Sequence, residues 1–144
     1  MRPRAVISHT FKSKTEYLAD VRSIVRAFSL KCGFPREEAE KIALAVDEAC
    51  TNVIKHAYKF DSEKEYSIRL LQLSDCIAIE VIDNGMIFNP LDAKNVDIAS
   101  HVRSFKRGGL GIHLIKNLID EIEYHSEPGK RNIVRLKKYF PRTS

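Results

Sequence analysis

Glu48, Asn52 and Lys55 stand at i, i+4 and i+7 in a stretch of helical periodicity, so they stack along one line of a helix. A carboxylate, a neutral amide and an ammonium in a row are the parts needed to hold a metal-bound polyphosphate. The opposite side of the stretch is apolar, because Ile42, Val46, Ala49, Cys50, Val53 and Ala57 recur at the spacing of a buried face. Taken alone, the polar line reads more readily as the solvated stripe of an amphipathic helix. Two further groups of residues change that. Asp83-Asn84-Gly85 ends a strand pattern with no alternating strand after it, which weakens an ordinary hairpin turn. Such a carboxylate, fixed on the floor of a cleft, can accept a hydrogen bond from an amino group such as that of adenine, and Gly85 lets the backbone pass close to a ring. Gly108-Gly109-Leu110-Gly111 opens a helix, behind Lys106 and Arg107. Glycines there expose backbone N–H groups, and a helix N-terminus favours anions. A flexible hinge capped by glycine would look the same. No Gly-Lys-Ser/Thr follows, and the spacing of a dinucleotide-binding glycine loop is absent.

The elements that must position these groups follow from periodicity. Residues 5–11 form a short strand pattern. Tyr17, Leu18, Val21, Ile24, Val25 and Phe28 predict a helix from Lys14 to Cys32, ended by Gly33. A second helix runs from Arg36 to Tyr58, with Pro35 near its first turn and Glu37, Glu38 and Glu40 at its positive end. Tyr66, Ile68 and Leu70, then Ile77, Ile79 and Val81, predict a hairpin turning at Ser74-Asp75. Residues 86–107 show no period and read as a long loop, a length that is more often functional or mobile. A third helix carries Ile112, Ile115, Leu118 and Ile119, and strands over Glu121–Ser126 and Asn132–Phe140 close the chain. The order β-α-α-β-β-loop-α-β-β predicts an α+β two-layer sandwich, with three helices on one face of a mixed, mostly antiparallel sheet of about five strands.

Bulk properties set the class. At 144 residues the chain is expected to be a single domain, residues 1–144. No apolar run approaches the roughly 18 residues that span a bilayer, and Met1-Arg2-Pro3-Arg4 precedes no signal-peptide core, so no membrane partner is expected. Cys32, Cys50 and Cys76 are odd in number and far apart, which predicts free thiols and a cytoplasmic setting. The net charge is +5, but basic residues are interleaved with acids. Arg135 and Lys137 alternate with Val134 and Leu136, which predicts the wet face of an edge strand and no direct nucleic-acid contact.

Together, E-x-x-x-N on a helix, D-x-G after a strand, and G-G-x-G into a helix after a long loop resemble the Bergerat (GHKL) ATP-binding domain, shared by gyrase, heat-shock chaperones and histidine kinases. Within it, Tyr17-Leu18 with Val21-Arg22, the stretch ending in His56-Ala57-Tyr58, and Gly108 to Asp120 look like the bacterial anti-sigma factor serine/threonine kinases, the RsbW-like family. The resemblance covers nearly the whole chain. One departure is Ile87, which stands where the family often has the second glycine of D-x-G-x-G.

The resemblance implies ATP and magnesium as ligands. It implies transfer of the γ-phosphoryl group to a STAS-domain anti-sigma factor antagonist, sequestration of a sigma factor, and a homodimer. By the same likeness Glu48 would orient or deprotonate the attacking hydroxyl, and Asn52 would ligate magnesium. Lys55 would touch the phosphates and Asp83 would read adenine, with Gly85 beside it. Lys106, Arg107, Gly108, Gly109, Leu110 and Gly111 would cradle the phosphates as residues 86–107 close as a lid. The alternative is a nucleotide-gated binding switch that phosphorylates little or nothing.

Overall fold

A computed structural model describes residues 2–87 and 111–141. Lys106, Arg107, Gly108, Gly109 and Leu110, and the lid beyond Ile87, lie outside the described residues. Five strands, β1 (Ala5–Lys12), β2 (Glu65–Gln72), β3 (Cys76–Asp83), β4 (Glu121–Glu127) and β5 (Arg131–Tyr139), form one sheet in the order β1-β2-β3-β5-β4. The expected mostly antiparallel sheet is antiparallel at each of its pairings. Helices α1 (Leu18–Lys31), α2 (Arg36–Asn52) and α3 (Gly111–Leu118) complete the sandwich.

Helix α1 buries Val21, Val25 and Phe28, and the hydroxyl of the buried Ser29 donates to the Val25 carbonyl at 2.8 Å. Gly33, at φ +105°, supplies the left-handed turn that reverses the chain into Phe34 and Pro35. Helix α2 lies across the sheet and is the spine of the core, with Ile42, Val46, Ala49 and Cys50 buried against β-strand residues Ile68, Ile79 and Val81. Period-2 alternation places Tyr66, Ile68 and Leu70 of β2 opposite Phe11, His9 and Ile7 of β1, all on the helix side.

Two expectations change. The second helix does not continue as α-helix to Tyr58. After Asn52 it widens into a π-helical turn, Val53–Ala57, closed by the Tyr58 N–H bonding the Val53 carbonyl at 2.9 Å. The wider turn lets both Val53 and Ile54 enter the core, and it turns Lys55 away from the straight α-helical line through Glu48 and Asn52. Strand β5 is not an edge strand either, since it lies between β3 and β4. Its Arg135 and Lys137 face the side of the sheet away from the helices. There they meet acids: Arg135 pairs with Glu80 and Glu123, and Lys137 with Glu123 at 3.2 Å and Glu121 at 3.8 Å. The alternation that suggested an edge is common to any strand with one charged face.

Candidate functional site

The three cysteines carry no disulfide, and no helix among the described residues is long and apolar enough to cross a membrane. Attention falls on the end of β3. Asp83 is its last residue, points to the helix side, and is 6% exposed. Its Oδ1 accepts the Gly85 N–H at 2.9 Å and an Asn132 Nδ2 hydrogen at 3.0 Å. Burial pushes this carboxyl above its usual range, and those two donors oppose the shift. No cation pairs with Asp83 among the described residues.

The loop after Asp83 is pinned to the end of the second helix. Tyr58 Oη accepts the Asn84 N–H at 3.0 Å and lies 2.8 Å from Asn84 Oδ1, and its proton also reaches the Glu65 carbonyl. The Met86 N–H donates to the Ala57 carbonyl at 2.9 Å. Gly85 passes so close that a Cβ there would sit 2.4 Å from the Ala57 oxygen and 2.7 Å from the Tyr58 ring. Glycine is therefore required by contact with the helix end, whatever ring lies on its other side.

Asp83 shares a narrow slot with Ala49, Asn52, Val53, Ala57, Ile115 and Val134. Its walls are apolar apart from two groups, Asp83 and Asn52. Asn52 is 6% exposed, so it is not on a solvated outer stripe, and its Nδ2 has no hydrogen-bond partner among the described residues. Leaving such a group unsatisfied costs about 1–3 kcal/mol, a cost that a polar ligand would remove. An apolar slot with a few convergent polar groups is the usual form of a small-molecule site.

Glu48 lies one turn before Asn52 and is half-buried. Burial, with the neighbouring Asp47 carboxylate, pushes its carboxyl up, and Lys55 pulls it back. A carboxylate of raised pKa is a stronger base, as proton abstraction from a hydroxyl needs. Asp47 itself is committed to structure. It pairs with Arg22 of α1, and Thr51 Oγ1 bonds both its carbonyl, at 2.8 Å, and its Oδ1, at 3.3 Å. Lys55 is half-buried beyond the π-turn start.

The structure thus brings Asn52 and Asp83 into one slot, with Glu48 one turn away and Gly85 packed against Ala57 of its wall. Gly111 is the first residue of α3, whose Ile115 closes the slot. Sequence reading missed Asn132 and Ser126, whose side chains meet at 2.7 Å. A signal was present: each is a polar residue at the helix-facing step of a strand whose two preceding or following such steps are apolar or aromatic, Val134 and Leu136 on β5, Ile122 and Tyr124 on β4.

An α+β sandwich with this slot defines a class. Residues 11–138 match the family described as the histidine kinase-like ATPase domain, and the chain belongs to it; nucleotide binding is the property that family shares. Within that class the chain belongs to the RsbW family of serine-protein kinases. It is 33% identical over 133 residues to the serine-protein kinase RsbW of Bacillus subtilis (strain 168), covering 89% of this chain and 81% of that one. Two solved structures share the fold. The RsbU and RsbW domains of a Mycobacterium tuberculosis protein give a TM-score of 0.63 at 16% identity, covering 94% of this chain and 32% of that one. The SiaB-SiaC complex of Pseudomonas aeruginosa gives 0.58 at 14% identity, covering 93% and 89%.

Proposed function

We propose that residues 1–144 form one ATP-binding kinase domain that transfers the γ-phosphoryl group of ATP to a serine or threonine of a STAS-domain anti-sigma factor antagonist. The observation that carries this reading is the slot itself: a buried carboxylate without a cation and a buried amide nitrogen without a hydrogen-bond partner among the described residues, set on apolar walls. Adenine would stack on such walls, and its exocyclic amino group would donate to Asp83. Phosphoryl transfer asks chiefly for positioning and charge neutralisation.

Asn52 stands one turn from Glu48, where the phosphates would lie. Its side-chain oxygen is the hard, neutral kind of ligand that magnesium takes, an ion that usually keeps waters and phosphate oxygens and only one or two protein ligands. The unsatisfied Nδ2 would donate to a phosphate oxygen beside it. Magnesium, when bound, would neutralise charge on the transferring phosphate. Glu48 would hold the hydroxyl of the substrate serine and take its proton. Lys55, and Lys106 to Gly111 with the lid, would face the phosphates. Capture of a sigma factor and assembly as a homodimer complete the proposed role in a partner switch, and the name of the SiaB-SiaC complex supports a protein partner.

The test is transfer of radiolabel from [γ-32P]ATP to a co-expressed STAS-domain protein, with nucleotide affinity measured beside it. Glu48→Ala is expected to reduce transfer by about a hundredfold or more while ATP affinity stays within a few-fold. Intact ATP binding with no transfer in the native chain would favour the nucleotide-gated switch without chemistry. Ile87, exposed in the position of a family glycine, is the observation on that side.

A further inference from the structure

Three polar side chains lie in one row across the helix-facing side of the sheet. Asp83 on β3 stands opposite Asn132 on β5, and Asn132 opposite Ser126 on β4. On the same three strands the next two rows inward are Val81, Val134 and Tyr124, then Ile79, Leu136 and Ile122. A polar row under a helix layer is costly unless each member is bonded.

Here the bonding has a direction. The Ser126 hydroxyl and Asn132 Oδ1 are 2.7 Å apart, so Ser126 donates and the amide oxygen accepts. That leaves the Asn132 amino group facing Asp83 Oδ1 at 3.0 Å and the Gly85 carbonyl at 3.2 Å, and it donates to both. Turning the amide over would set its oxygen against a carboxylate and a carbonyl, two acceptors, so the chemistry of the neighbours fixes its orientation. Asn132 is 4% exposed, so its amide is committed to the partners within the row. With the Gly85 N–H also on Oδ1, that oxygen holds two donors, and Oδ2 takes no hydrogen bond from any described residue.

We propose that Asn132, oriented by Ser126, is a positioning residue that presents Asp83 Oδ2 to the ligand as a pure acceptor, and so selects purines with a 6-amino group over those with a 6-oxo group. This inference rests on the reading of the slot as a nucleotide site. A 6-amino group offers a hydrogen to Oδ2. A 6-oxo group offers a lone pair to a carboxylate and is repelled. Without the Asn132 donor, Asp83 takes up a proton more readily and is held by the Gly85 N–H alone among the described residues. The protonated acid can donate to a 6-oxo group, so discrimination collapses. Burial already raises the carboxyl, and the Asn132 bond is one of two donors restraining it.

The probes are ATP and inosine triphosphate, which differ only at the purine 6-position and its tautomer. Affinities are measured by calorimetry between pH 5 and 8 for the native chain, Asn132→Leu and Ser126→Ala, with thermal melts beside them. Asn132→Leu is expected to weaken ATP by about tenfold, to shrink the ATP-to-inosine ratio by a similar factor, and to move the acid limb of ATP binding up by about one pH unit. Ser126→Ala, on a half-buried site, is expected to shift all three the same way by about threefold or less, and it keeps the test in force if Asn132→Leu fails to fold. A purely structural role would weaken both nucleotides equally and leave the acid limb in place, and that result overturns the inference. If the native chain binds ATP and both variants keep its ratio and limb, the inference alone falls. If the native chain binds neither nucleotide, the nucleotide reading falls with it.

Discussion

Strand β3 carries two buried carboxylates three residues apart, on opposite faces of the sheet, and they are held in opposite ways. Glu80, 2% exposed, lies between two guanidiniums: Arg135 bonds its Oε2 through Nε at 2.9 Å and through Nη2, and Arg69 Nη1 lies 3.3 Å from Oε1. Arg135 reaches on to Glu123, and Lys137 links Glu123 to Glu121, so Glu80 anchors a row of alternating charge. Asp83 has no cation among the described residues. Neutral donors hold one of its oxygens, and burial raises its pKa. A buried acid matched by arginines is consumed by the fold. One restrained by neutral groups, with an oxygen left over, has capacity for something else.

The sharpest way to break that contrast is Asp83→Asn. Asparagine Oδ1 can still accept from Gly85 and Asn132, and the buried charge disappears. The fold should hold or gain stability in a thermal melt, while the amide nitrogen replaces Oδ2 and ATP affinity falls by about a hundredfold. Loss of the fold in this variant would make Asp83 as structural as Glu80. The converse is Glu80→Gln. Arg69 then loses its counter-charge and Arg135 keeps only Glu123 among the described residues, and denaturant unfolding should show a loss of about 3 kcal/mol with ATP affinity unchanged within twofold. A large drop in affinity would join the two faces that the structure separates. Gly85→Ala tests the contact that pins the loop after Asp83 to the end of the second helix. The new methyl meets the Ala57 oxygen, so stability should drop by about 1–3 kcal/mol, and nucleotide affinity should fall with it.

The smallest effect is the pH dependence of Asp83. Its folded pKa is raised above the unfolded value, so between the two the folded chain binds more protons. The contribution of Asp83 to stability therefore increases as pH falls through the folded pKa, while ATP affinity decreases over the same window. Titrating both quantities in the native chain and in Asp83→Asn should show that the opposed components disappear together in the variant. Stability and affinity that fall together with acid, with Asp83 as the cause, would contradict the picture.

Much of this was legible beforehand because it is local. Strand alternation identified Tyr66, Ile68, Leu70, Ile77, Ile79 and Val81 as core, and helical spacing found the buried face of α2. Glu48 and Asn52 were singled out by their helical spacing, and Asp83 as a carboxylate at a strand end before a glycine. Their grouping needed the resemblance, since spacing alone does not say that a helix and a strand end share a slot. The rest is non-local or conformational. That β5 lies between β3 and β4 depends on pairing across 49 residues or more, and amphipathic alternation is the same for central and edge strands. Nothing in Val53-Ile54-Lys55-His56-Ala57 distinguishes a π turn from an α-helix. Asn132 and Ser126 were visible as polar interruptions but had no role until the register aligned them with Asp83.

The π turn has a consequence for anyone who would transplant this site. Counted in residues, Glu48 to Tyr58 is an ordinary stretch of helix. Counted in turns it is shorter, because the ring from Val53 to Tyr58 holds one residue more than an α-helical ring. A regular helix bearing the same letters would keep every motif residue, yet carry the Ala57 carbonyl and the Tyr58 phenol around the axis and away from Met86 and Asn84. The graft would match in any alignment and lack the floor on which the carboxylate stands.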